Sequence, residues 1–139
     1  MKTHDLFVYG TLMFPRVVEA ILGRCPEFQE ATLSGYLRVR VKGQPYPVIL
    51  PEAGSNVTGR VLVGLSQTEI TTLDTFEGEM YCRANVEVAF ANGSLRLVDV
   101  YRFASGYETE ATDENWEPEA YQEKFSRCDY GELRQASQL

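Results

Sequence analysis

Hydrophobic positions along the chain follow two different periods. Leu6, Phe7 and Val8 form an unbroken apolar run that predicts a short buried strand. Gly10 ends it, and Thr11 to Phe14 lead to Pro15, which suits the first turn of a helix. Val17, Val18, Ile21 and Leu22 share one face of a helix over 15–22, with Gly23 as its stop. Leu37, Val39 and Val41 alternate with Arg38 and Arg40, which predicts a strand with one wet face over 31–41. A further strand from Tyr46 to Leu50 is closed by Pro51 and a predicted turn at 52–55. Val57 to Leu65 reads as another, and Gly59 and Gly64 inside it mark bulges, bends or close backbone approach in a curling sheet.

Ser66 and Glu69 form a capping box, so a helix begins at Ser66, turns Ile70, Leu73 and Phe76 inward, and ends at Gly78. Val86, Val88 and Phe90 alternate with polar residues ahead of Asn92-Gly93, a strong hairpin signal, and a return strand runs to Phe103. Between Ala104 and Asn115 apolar content falls, and Glu108, Glu110, Asp113 and Glu114 predict an exposed acidic loop. Helical spacing resumes at Glu117 through Tyr121 and Phe125, with Trp116 packing beside it, and 135–139 read as disordered. Six or so mostly antiparallel strands with a few peripheral helices make an α+β domain whose sheet closes or nearly closes into a small barrel. Without repeats or linkers, 1–139 is read as a single domain, with 104–139 packing on it as an acidic loop and C-terminal helix.

The formal net charge of -7 and the lack of a basic stripe argue against a nucleic-acid or anionic-membrane partner. Cys25, Cys82 and Cys128 are far apart and odd in number, matching neither metal-ligand spacing nor a disulfide framework, so reduced thiols in a cytoplasmic protein are expected. The polar start lacks a signal-peptide pattern, and no apolar run is long enough to span a bilayer. His4 is the sole histidine and falls in a terminus expected to fray, which argues against a histidine-based mechanism or metal site.

Two stretches carry candidate chemistry. The turn Tyr9-Gly10-Thr11-Leu12, between a strand and a helix, would leave several N–H groups free to meet an anion, or would simply be a glycine turn. The stretch Leu73-Asp74-Thr75-Phe76-Glu77-Gly78-Glu79-Met80-Tyr81-Cys82-Arg83 sets Glu77 between an aromatic and a glycine at a helix end. Glu77 could equally be a solvated helix-end carboxylate, and Glu79 is a rival acid that spacing does not exclude.

With Tyr46-Pro47-Val48-Ile49-Leu50-Pro51 and Gly59-Arg60-Val61 between them, these stretches resemble the gamma-glutamylcyclotransferase-like family, in its avirulence-induced-gene-like branch. The resemblance covers most of residues 6 to 103. It implies a small barrel with helices around it, and a cofactor-free, metal-free enzyme that releases 5-oxoproline from a small γ-glutamyl amine or γ-glutamyl amino acid. It assigns the general base and acid to Glu77, which directly follows the aromatic, and the substrate loop to Tyr9, Gly10, Thr11 and Leu12. An ordinary glutamate, with a pKa near ~4.3, is a poor base for an ammonium. Burial beside Phe76 and Tyr81, with Asp74 and Glu79 close in sequence, should raise Glu77 toward neutrality.

Tyr46, Tyr81 and Arg83 are read as pocket lining or as barrel core and rim, and Asp74 as structural. Cys82 is expected to be a small buried hydrophobe, since no histidine is placed to activate it. A different class of function stays open: a non-catalytic barrel that binds a carboxylate-bearing ligand or a protein partner, the latter through Trp116, Tyr121 and Phe125. The sequence leaves the oligomeric state open.

Overall fold

A computed structural model describes residues 3–120. Strand β1 (His4–Val8) leads through a single 3-10 turn (Thr11–Met13) to helix α1 (Pro15–Leu22). Two long strands follow, β2 (Glu27–Val41) and β3 (Pro47–Leu65), then helix α2 (Gln67–Glu77) and the hairpin β4 (Tyr81–Phe90) and β5 (Leu95–Phe103). A short strand β6 (Ala111–Asn115) precedes a last 3-10 turn (Pro118–Ala120). The strand order is β3-β1-β5-β4-β2-β6, and β2 also pairs with β3, so five strands close on themselves while β6 adds to the flank of β2. Every pairing is antiparallel except β1 with β5, where Leu6 and Phe7 lie beside Asp99 and Val100. Among the described residues no helix is long and apolar enough to cross a membrane.

The unbroken apolar run of β1 reflects burial on both faces. Phe7 and Tyr9 join Leu33, Ile49, Val61, Val88 and Val100 in a cluster drawn from all five barrel strands and no helix, which is the barrel interior. Leu6 and Val8 join Val17, Val18, Ile21, Ile70, Leu73 and Phe76, so the opposite face of β1 is covered by both helices. At about 25 cal/mol per Å² of apolar area, a side chain as large as Phe7 contributes roughly 2–3 kcal/mol by this burial. Gly59 makes the fit possible, because a Cβ there would stand 2.4 Å from the Val8 carbonyl oxygen and 2.8 Å from the Phe7 ring.

The helix signals match the structure closely. Gly23 ends α1 in the left-handed region (φ 80°), and the Ser66 side chain and Glu69 cap α2 reciprocally. Four expectations are corrected. The predicted turn at 52–55 is a bulge inside one continuous β3: Ser34 pairs with Asn56 and Tyr36 with Pro51, so Gly35 alone stands opposite residues 52–55. Gly35 (φ 84°) and Gly54 (φ 87°) supply the left-handed backbone that this offset needs, so the turn residues bend the hairpin without reversing it. Part of the acidic loop is strand β6, because Val39 and Val41 of β2 offer it backbone partners at Asn115 and Ala111.

His4 is ordered in β1, with its ring nitrogens 3.3 Å from Asp99 Oδ2 and 3.0 Å from Gln67 Oε1. Cys82 is exposed on β4, because the alternation of the strand turns Tyr81 inward and its neighbour outward. Trp116 is buried, as its packing role requires and contrary to its use as an interaction surface for a protein partner, and its indole N–H donates to the Pro45 carbonyl at 2.7 Å. Tyr121, Phe125 and residues 135–139 lie outside the described residues, as does the body of the helix expected from Glu117; within them the chain makes only the Pro118–Ala120 turn.

Candidate active site

One cavity lies where several chain ends converge. It is lined by the end of β1 and the following turn, by Tyr46 and Pro47 ahead of and opening β3, and by Glu77 at the end of α2. Tyr81 at the start of β4 and Tyr101 near the end of β5 complete it. About 410 Å³ of space lies between these side chains, part of it open to solvent.

Each wall has a local cause. A strand that stops at Tyr9 and turns tightly needs Gly10, since a Cβ there would come within 2.7 Å of the Pro47 ring. The first helical bond of the turn runs from the Met13 N–H to the Gly10 carbonyl (3.0 Å). The amides of Thr11 and Leu12, the two residues just before Met13, precede that ladder, as helix-opening donors do. Gly78, at φ 78°, stops α2 and leaves Glu77 as its last residue.

The polar edges of the aromatic walls are tied down. The Tyr9 hydroxyl donates to the Tyr101 carbonyl at 2.6 Å, and the Tyr81 hydroxyl donates to the Pro47 carbonyl at 2.8 Å. The Tyr46 and Tyr81 rings meet edge to face with centroids 6.2 Å apart, a favoured aromatic geometry. Burial raises the hydroxyls of Tyr9, Tyr46 and Tyr81 above the ordinary phenolic value, with a further push from the Glu77 carboxylate. All three are therefore neutral donors near pH 7.

Glu77 keeps some exposure as a whole residue, yet its carboxyl group is enclosed by this cavity. Its pKa rises to about 8, chiefly because the ionised form loses water there and secondarily through the charge of Asp74. Asp74 lies three residues earlier on α2, on the adjoining face. Its carboxylate accepts from the Tyr101 hydroxyl (2.7 Å) and from Nε and Nη2 of the Arg83 guanidinium (2.9 and 3.2 Å). Arg83 also reaches Asp99 at 3.3 Å.

The structure thus brings Tyr9, Gly10, Thr11, Leu12, Tyr46, Tyr81 and Glu77 around one space. Arg83 is not among the lining residues; it is exposed on β4 and braces Asp74 from outside. Glu79, the rival acid, is also exposed and absent from the wall. Tyr101 was missed by sequence reasoning although a signal existed. Counting back from the Asn92-Gly93 turn pairs it with Arg83, beside the Glu77 segment. Among the described residues no group of three or more His, Cys, Asp or Glu side chains is arranged to hold a metal ion.

Comparison with known proteins gives this geometry a context. The model of the family described as gamma-glutamyl cyclotransferase, AIG2-like, matches residues 6–124. AIG2-like protein C of Arabidopsis thaliana is 46% identical over 99 residues, covering 70% of this chain and 58% of that protein. AIG2-like protein B of the same plant is 40% identical over 101 residues, covering 72% of this chain and 59% of its own length. The matches therefore span about 60% of the length of these curated relatives.

A solution structure of an Arabidopsis thaliana protein superposes with a TM-score of 0.74 at 34% identity, covering 89% of this chain and 83% of its own. A solved gamma-glutamyl cyclotransferase shares the fold at 19% identity, with a TM-score of 0.70 over 99% of both chains. On the strength of the matched length and these identities, the chain belongs to the gamma-glutamyl cyclotransferase, AIG2-like family.

Proposed function

We propose that the protein is a cyclotransferase that releases 5-oxoproline from a small γ-glutamyl amine or γ-glutamyl amino acid. The observation that carries this reading is a lone carboxyl with a pKa of about 8, enclosed with a strand-to-helix turn that presents early amides. A γ-glutamyl compound offers one partner for each. Its α-carboxylate suits the amides of the Tyr9 to Leu12 turn, and its α-ammonium suits Glu77.

Near neutral pH a carboxyl of this pKa exchanges protons readily with an amine. The ionised Glu77 takes a proton from the α-ammonium, and the freed amine attacks the γ-carbonyl carbon to form the ring C–N bond. Protonated Glu77 then delivers a proton to the original amide nitrogen, and that C–N bond breaks. The attacking nitrogen sheds two protons in all. Both pass to the departing nitrogen, which leaves as an ammonium, and 5-oxoproline remains.

Nucleophile and leaving group belong to one molecule, so the main task of the site is to fold the substrate into the reactive conformer. The aromatic walls of Tyr46, Tyr81 and Tyr101 suit that task, because their hydroxyls are engaged or neutral and their rings are fixed. The reading is tested by incubating purified protein with a panel of γ-glutamyl amines and γ-glutamyl amino acids and measuring 5-oxoproline. Product from at least one member, abolished in Glu77→Gln, supports it. Binding without product favours the non-catalytic carboxylate-binding barrel, and neither binding nor product removes both readings.

A further inference from the structure

The turn at Tyr9 to Leu12 is held from outside the cavity. Arg38, on the wet face of β2, sends its Nη1 to the Tyr9 carbonyl at 2.9 Å and to the Thr58 carbonyl at 3.3 Å. Its guanidinium lies 5.4 Å from the centre of the buried Trp116 ring, within cation–π range. Arg60 of β3 donates to the Met13 carbonyl at 3.0 Å. One guanidinium therefore grips the carbonyl at each end of the turn. Neither lines the cavity; both line a separate groove that also includes Met13, Phe14 and Pro15.

The peptide between Tyr9 and Gly10 is trans, so its carbonyl and its N–H point in opposite directions. The Tyr9 carbonyl is held by Arg38, which does not line the cavity, so the Gly10 N–H points away from Arg38, and Gly10 itself lines the cavity. A cation on the carbonyl oxygen polarises the peptide and strengthens its N–H as a donor. The same contact fixes the peptide plane, so the donor does not have to be ordered when an anion arrives.

We propose that Arg38 is a positioning residue for the substrate: through the Tyr9–Gly10 peptide it aims and strengthens an amide that receives the substrate α-carboxylate. The proposal rests on the cyclotransferase reading for the identity of the anion, but the polarised peptide is a property of the free protein. Desolvation makes Arg38 a costly residue to keep between β2 and the turn, lowering its pKa, while Glu117 and Glu119 nearby favour its charged form. A side chain that only filled space there would not need a cation.

The test uses Arg38→Met and Arg38→Lys in the full chain, with thermal unfolding as a check on folding. Arg38→Lys serves alone if Arg38→Met does not fold. The first readout is the Gly10 amide in ¹H–¹⁵N spectra of free protein, expected to move upfield in both variants as the hydrogen-bonding cation is lost or misplaced. The second is KM for a γ-glutamyl amine turned over by the wild type, expected to rise about 10-fold in Arg38→Met and less in Arg38→Lys. Because Glu77 is untouched, the pH at half-maximal kcat should stay within a few tenths of a unit. A Gly10 amide that does not move, or a KM unchanged in folded variants, overturns the proposal. Wild-type protein that turns over no γ-glutamyl compound overturns the cyclotransferase reading instead, and the amide shift still decides the role of Arg38.

Discussion

The Tyr101 hydroxyl donates to Asp74 Oδ1 at 2.7 Å, which joins the far end of β5 to the helix that carries Glu77. The bond orients Asp74 one helical turn before Glu77, where its charge contributes to raising the Glu77 carboxyl to about 8. Arg83 completes the arrangement from the solvent side. Acidity at position 77 is thus set by desolvation first, and then by a neighbour whose own geometry is fixed by two further residues.

A base with this pKa dictates the pH profile. kcat/KM should climb as pH rises toward about 8 and fall again once the substrate α-ammonium loses its proton, since the reaction starts from ionised Glu77 and the ammonium. Asp74→Asn removes the neighbouring charge, so the half-maximal point should move to lower pH while staying above an ordinary glutamate. A profile that does not respond to Asp74→Asn would place the titrating group elsewhere.

Glu77→Gln should lower kcat by about 10²- to 10⁴-fold, the usual span for a lost general base. The same change should raise stability at alkaline pH. With a folded pKa above the unfolded one, the acid form is favoured by folding, so stability is unaffected below about 4.5 and falls as pH rises. The penalty is complete above about 8, where it is on the order of a few kcal/mol. Thermal unfolding of both proteins from pH 5 to pH 9 should therefore show a widening gap in favour of the glutamine variant.

Gly59→Ala should destabilise the protein by about 1–3 kcal/mol through overpacking, because its methyl would strike the Val8 carbonyl and the Phe7 ring. Both struck groups belong to the strand that opens the site, so activity should fall with stability. Chemical denaturation with a native-like midpoint would refute the close approach.

Tyr81→Phe leaves the Pro47 carbonyl without its hydroxyl donor and should cost about 1–3 kcal/mol. A rise in KM should exceed any change in kcat, because the ring remains while the wall that bears Tyr46 and Pro47 loosens. Steady-state kinetics beside equilibrium unfolding measures both effects.

Much of this was legible in the chain because it is written in local chemistry. The cap at Ser66, the stops at Gly23 and Gly78, and the Asn92-Gly93 hairpin each depend on a few adjacent residues, and each lies where the sequence places it. The resemblance supplied the pairing of residue 77 with residues 9–12, which no spacing rule could provide, and the cavity unites them. What escaped was tertiary. Turn-forming residues at 52–55 became a bulge because β2 continued to pair on both sides of it. The acidic segment at 111–115 became a strand because the far edge of β2 was open to it. Tyr101 could be reached only by counting the hairpin register back to Arg83, and the outer grip of Arg38 depends on strands distant in sequence and leaves no local mark.

The parallel seam between β1 and β5 joins residues more than 90 positions apart, and the cavity opens directly beyond it. Closing so large a loop is entropically slow, whereas the β2–β3 and β4–β5 hairpins need only short reversals. The site should therefore be the last part of the barrel to assemble, with amide protection at Leu6 and Phe7 appearing after that of the hairpins in a refolding pulse. Ligand affinity in this molecule would then report on whether the whole ring has shut.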